Sequence, residues 1–250
     1  PMVEQFTPEE SEDRLYSLVS EYLRRDNLQA LPNSQRSLMT LVLRKLLASS
    51  TFAIAGALDT LITRLEKKMT KQAPHVSLEE ELDQDYEALD ETAEEWEDDE
   101  DEEILSESDQ KALAKEIEDL KSFRDLAVSI TYNAKGKALI TALNKAFATP
   151  HLPRKAIVFT ESRKTQDYLM RLLADSPYKD GVVLFNGSNN DPKSKAIYAE
   201  WLERHEGTDK VTGSKTADMR SALVDYFRDK GQIMIATEAG SEGINLQFCA

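Results

Sequence analysis

Three short apolar runs, each followed at once by a polar turn, do most to limit what the second half of this chain can fold into. They are Ala156-Ile157-Val158-Phe159, Val182-Val183-Leu184-Phe185 and Ile233-Met234-Ile235-Ala236. None alternates polar with apolar residues, so each is expected to be a strand covered on both faces. Tyr168, Leu169, Leu172 and Leu173 recur at helical spacing between the first two runs. Two further helical patterns precede the third run, one with Ile197 and Trp201, the other with Met219, Leu223, Tyr226 and Phe227. Strands that alternate with helices need crossovers, which predicts a parallel sheet with right-handed connections. Ligands of such sheets gather outside the carboxyl ends of the strands, so the turns after the three runs are the candidate site.

The first half reads as helices. Thr7-Pro8-Glu9-Glu10 predicts a helix start, with Thr7 as cap, Pro8 in the first helical position and Glu10 completing a capping box. Leu15, Leu18, Val19, Tyr22 and Leu23 follow at helical spacing, up to a break near Leu31-Pro32-Asn33-Ser34. A second helix is expected to bury Leu38, Leu41, Val42, Leu46 and Leu47. Ser49-Ser50-Thr51 offers caps for a third, which carries Phe52, Ala55, Leu58, Ile62 and Leu65 on one face and ends before Pro74. Helical spacing returns from Ser108, with Leu113, Ile117, Leu120, Leu126 and Ile130, and again with Leu139, Ile140, Leu143 and Phe147. Lys135-Gly136-Lys137 resembles the end of a phosphate-binding P-loop, but position 131 is Thr and position 138 Ala, so the Walker A spacing is absent.

The net charge of −15 would argue against nucleic acid as a partner if it were spread evenly. It is not: residues 79–103 hold 17 Asp and Glu and no Lys or Arg, and without them the chain carries +2. Residues 75–107 therefore read as an acidic insertion that is expected to be disordered, because like charges repel and few apolar residues offset the entropy of ordering. The alternative is an arm that binds a basic protein partner or covers a basic groove, with Trp96 as its docking residue. A single cysteine, Cys249, excludes an intrachain disulfide and fits a reducing compartment such as the cytoplasm. His75, His151 and His205 are scattered, so no metal site is expected. No apolar run approaches the ~20 residues of a membrane helix.

The three turns differ in what they offer. After the first run, Thr160-Glu161-Ser162-Arg163-Lys164 combines two hydroxyls, the amides of a helix start and two cations. That suits a phosphate, and it equally suits an ordinary helix cap. After the second, Asn186-Gly187-Ser188-Asn189-Asn190 allows close approach of a backbone at Gly187 or is simply a turn. After the third, Thr237-Glu238-Ala239-Gly240-Ser241-Glu242-Gly243 places two glycines three apart, a weak anion-binding loop or a structural turn.

Taken in order, "KAIVFTESRKTQDYL", "VVLFNGS" and "GQIMIATEAGSEGINLQFC" resemble the second RecA-like lobe of superfamily-two DEAD/DEAH-box helicases, in the Swi/Snf-like, RapA-like branch. The first stretch matches motif IV and the last motif V, and "LMTLVLRKLLASSTFAIAGAL" resembles the helical connection between the lobes. The resemblance implies an α/β fold: residues 1–74 as interlobe helices, 108–150 as helices leading into the lobe, and 151–250 as an incomplete RecA-like lobe that stops before motif VI. It implies an ATP-dependent motor on nucleic acid, double-stranded DNA in this branch. Thr160, Ser162, Arg163, Asn186, Gly187, Thr237 and Ser241 would face the phosphates. Glu242, Gly243 and Asn245 would turn toward ATP, with Asn245 standing where many relatives carry Asp. Mg²⁺ would be held by the first lobe, the other expected partner.

A chain that opens Pro1-Met2 and lacks the Walker A and DEAH elements and motif VI is expected to be a piece of a longer protein, without ATP hydrolysis of its own and with no catalytic residue to assign. Two other readings stand beside the motor. One is a non-enzymatic module that binds a partner through the acidic arm and helices on a RecA-like scaffold. The other is a small-molecule domain, which would need an apolar pocket at the carboxyl edge of the sheet.

Overall fold

The computed structural model describes residues 3–31, 36–70, 107–131, 133–148 and 154–237. The break at Pro32, Pro74, nearly all of the acidic segment with Trp96, and Ser241, Glu242, Gly243 and Asn245 lie outside the described residues. Two compact units are formed, one from residues 5–137 and one from residues 138–250 with 1–4.

The first unit is built on α1 (Glu10–Tyr22), α2 (Arg36–Ser49), α3 (Thr51–Met69) and α4 (Glu107–Ser129). α1 starts two residues later than its sequence suggests, because carboxylates rather than a hydroxyl cap it. Glu9 is the N-cap, its side chain accepts from the backbone of Glu12, and Glu12 Oε2 accepts from the Glu9 N–H at 2.8 Å. With Glu10, Glu12 and Asp13 in the first turn, α1 also matches the polarity of its own dipole. α2 turns a slightly different stripe inward from the one expected. Met39, Val42, Leu43 and Leu46 are buried at i, i+3, i+4, i+7, while Leu41 is 54% exposed. α3 is capped as predicted, Ser50 Oγ accepting from the Ala53 N–H at 3.0 Å. It buries more than one face, since Ala53, Ile54, Ala57 and Leu61 join Ala55, Leu58, Ile62 and Leu65 in the core. The Lys135-Gly136-Lys137 stretch is a helix start: Asn133 Oδ1 accepts from the Gly136 N–H at 2.7 Å.

One buried carboxylate organises this unit. Glu116 of α4, 6% exposed, accepts from the Tyr22 hydroxyl at 2.8 Å, the Gln29 N–H at 2.9 Å and the Ala30 N–H at 3.1 Å. It therefore holds both the end of α1 and the segment after it. Burial, and then the Glu116 charge, raise the Tyr22 phenol well above its ordinary value and keep it a donor. Removing the carboxylate leaves three donors without an acceptor. Glu116→Ala is expected to cost about 3 kcal/mol, and Glu116→Gln, which keeps an acceptor, clearly less. Urea unfolding followed by far-UV circular dichroism measures both, and equal losses would contradict the account.

The second unit contains most of α5 (Ala134–Ala148), then β1 (Ala156–Thr160), α6 (Arg163–Ala174), β2 (Val182–Phe185), α7 (Pro192–Arg204), α8 (Lys215–Asp229) and β3 (Ile233–Thr237). The sheet is parallel with the order β1-β3-β2. Val183, Phe185, Met234 and Ala236 face α7 and α8, packing on Ile197, Trp201, Met219, Leu223 and Phe227. α6 covers the alternate positions with Tyr168, Leu169 and Leu173. β2 and β3 are buried throughout, as continuous apolar runs predict. β1 departs from that expectation: it is an edge strand among the described residues, and its Phe159 is 55% exposed.

The chain enters β3 through a tight approach at Gly231, where a Cβ would lie 2.9 Å from Phe227 Cα. Lys155 closes the end of α8 here, donating to the Phe227 and Gly231 carbonyls, each at 2.7 Å. The turn into α8 is pinned by Asp218, 2% exposed, which accepts from the Thr212 N–H at 2.9 Å, the Thr212 hydroxyl at 2.7 Å and the Gly213 N–H at 3.2 Å. The Thr212 hydroxyl and amide hold its carboxyl below the usual range. A carboxyl depressed on folding adds stability that is complete above its unfolded pKa of ~3.9 and is lost as pH falls through the folded value. Native protein is therefore expected to lose stability relative to Asp218→Asn below about pH 4, with parallel curves above about pH 5. Thermal melting across that range reads the difference.

Candidate nucleic-acid interface

Strand register places the three turns. Thr160 and Thr237 are direct Cα partners at the carboxyl ends of β1 and β3. Phe185 partners Ala236, so Asn186 leaves the sheet on the other side of the same strand end. Thr160, Asn186 and Thr237 thus share one rim, with β3 in the middle.

At the first turn most of the hydroxyl chemistry serves the fold. Ser162, 1% exposed, is the N-cap of α6, and its Oγ accepts from the Thr165 N–H at 3.1 Å. The Thr160 hydroxyl, on a residue 6% exposed, makes long hydrogen bonds of 3.4 Å with the Ser162 backbone. The cap reading of Ser162 is what the geometry supports. Two cations follow. The first turn of α6 contains no acid and begins with Arg163 and Lys164, both half-buried. Positive charge at a helix N-terminus opposes the helix dipole by about 0.3–1 kcal/mol. An anion at that terminus reverses the sign.

The second turn is shaped by its own side chains. Asn186 Oδ1 accepts from the Ser188 N–H at 3.1 Å, the Ser188 hydroxyl at 3.2 Å and the Asn189 N–H at 2.7 Å. Asn189 returns the bond, its Oδ1 accepting from the Asn186 N–H at 2.8 Å, from a left-handed conformation at φ 46° that Asn tolerates. Both asparagines are buried, and Gly187 and Ser188 form the exposed tip. The Asn186 side chain and the Ser188 amide are spent on the turn itself, which presents the exposed Gly187–Ser188 tip. Thr237 at the third turn is 1% exposed.

Sequence reasoning missed Gln166. It is 1% exposed on α6, and its Nε2 donates to the Phe185 and Ile235 carbonyls, each at 3.0 Å. Its Oε1 accepts from Asn186 Nδ2, also at 3.0 Å. The available signal was position: Gln166 precedes Leu169 and Leu173 on the inward stripe of an amphipathic helix, where a polar residue survives only if its hydrogen bonds are met. No group of three or more His, Cys, Asp or Glu among the described residues could hold a metal ion.

Comparison with known proteins agrees with this architecture. Residues 134–250 match the family described as "Helicase conserved C-terminal domain". The chain is 28% identical over 148 residues to a Bacillus subtilis (strain 168) protein named "Uncharacterized ATP-dependent helicase YqhH", an alignment covering 58% of this chain and 20% of that protein. The chain thus spans about a fifth of that relative's length. No solved structure matches. A helical region followed by a small parallel sheet fits an incomplete RecA-like α/β lobe, and residues 134–250 are similar to the helicase C-terminal domain family.

Proposed function

We propose that this chain is part of an ATP-dependent helicase or translocase of the Swi/Snf-like, RapA-like branch, and that its rim runs along the phosphate backbone of double-stranded DNA. The register that sets Thr160 beside Thr237, with Asn186 next to them, is the observation that carries this reading. A motor must hold a strand without reading its sequence, so backbone amides, helix N-termini and cations are the right chemistry. The rim has a helix N-terminus with its amides at the start of α6, and Arg163 and Lys164 supply cations. Ser241 would extend this surface beyond Thr237, and Glu242, Gly243 and Asn245 would meet ATP. Phosphate chemistry itself is assigned to a first RecA-like lobe carrying the Walker loop and the Mg²⁺ ligands, joined to this one in a longer protein.

Binding of a short mixed-sequence duplex, measured by fluorescence anisotropy over a range of salt, tests the reading. Affinity is expected to be weak and to fall linearly on logarithmic axes, with a slope of about 0.9 for each phosphate neutralised. Charge reversal at both cations, Arg163→Glu with Lys164→Glu, is expected to reduce that slope by about one to two. Binding that ignores both salt and the reversal would sink the assignment. Single-stranded DNA and RNA of matching sequence decide which strand type the rim prefers.

A further inference from the structure

Gln166 uses both amide donors and one acceptor site of its carboxamide, and it joins the end of β2, the turn after it and β3. Phe185 closes β2, Asn186 shapes the turn after it, and Ile235 lies in β3 two residues before Thr237. An apolar side chain of the same length would fill the space without losing hydration. An amide kept dry therefore points to a need for its directionality, because its bonds weaken steeply when a partner moves.

We propose that Gln166 is a positioning residue that couples the second turn to the end of β3: strain placed on the Asn186–Asn189 turn by a bound backbone passes through this one amide to β3, and so to Thr237. The coupling is a property of the fold. Its consequence for nucleic acid rests on the reading of the rim given above.

Gln166→Met keeps the volume and removes the hydrogen bonds, and Asn186→Ala removes the partner. Both are made in the full chain, singly and together. Amide exchange is then followed across the lobe, and affinity is measured for the same mixed-sequence duplex. In Gln166→Met, exchange at Ser188, Asn189 and Thr237 is expected to rise together by about tenfold, with α7 and α8 unchanged. Duplex affinity falls by about tenfold, and Gln166→Met adds little in the Asn186→Ala background, where the turn that Gln166 acts through has already lost the Asn186 side chain. A rise spread evenly over the lobe, a rise at one turn only, or full additivity of the two substitutions overturns the proposal. If native protein binds no nucleic acid, the rim reading fails, and the exchange pattern alone still decides the coupling. Should Gln166→Met not fold, Gln166→Glu, whose carboxyl supplies at most one donor in place of two, carries the same comparison.

Discussion

β3 has a strand on each side, and both pairings run parallel. That double pairing is the constraint on which the rest of the lobe depends. A parallel neighbour on either side brings all three strands out at the same edge, so the turns that follow them have no choice but to meet. Helices on both faces, α7 and α8 on one and α6 on the other, leave Ile233, Met234, Ile235 and Ala236 fully buried. Tight joints at the entry to β3, Gly231 against Phe227 and Lys155 across the end of α8, fix where the strand begins and therefore how far Thr237 reaches.

The rim shows how much of a polar surface a fold consumes for itself. Ser162 caps a helix, Asn186 and Asn189 bond each other, and Gln166 ties the two strands and the turn together. Each of these groups would be costly to bury unpaired, and the lobe satisfies them internally. At the surface of the rim are the Gly187–Ser188 tip and two half-buried cations at a helix end whose dipole they oppose. Those are groups that suit a phosphate backbone, which carries charge at every step and asks for no base-specific contact.

The helical unit solves a similar problem with one carboxylate. Glu116 gathers a phenol and two backbone amides from the end of α1 and the segment beyond it, a region with no regular hydrogen-bonding partner of its own. Arg25 and Asp119 pair at 2.6 Å beside it, with the guanidinium over the Tyr22 ring. The apolar stripes of α1 to α4 supply the bulk of the burial, and the carboxylate decides how the irregular connection lies against them.

Periodicity alone determined that there would be helices first, then strands alternating with helices, and where each of the three strands would lie. Burial of alternate faces leaves a pattern that any neighbour of the right size preserves, so β2 could be read to the residue from Val182-Val183-Leu184-Phe185. The cap of α3 was legible at Ser50 for the same reason: the interaction is made within four residues. The strand order was not legible, because three apolar runs of similar length and composition can pair in any order until the helices are packed. Nor was the exposure of Phe159: β1 and β2 are both outer strands among the described residues, yet β2 is buried throughout, so the difference lies in which strand the helices cover. Whether a hydroxyl or an amide faces a ligand or the fold was decided only by the tertiary structure. Gln166 meets partners 19, 20 and 69 residues away, and no local pattern records a hydrogen bond of that span.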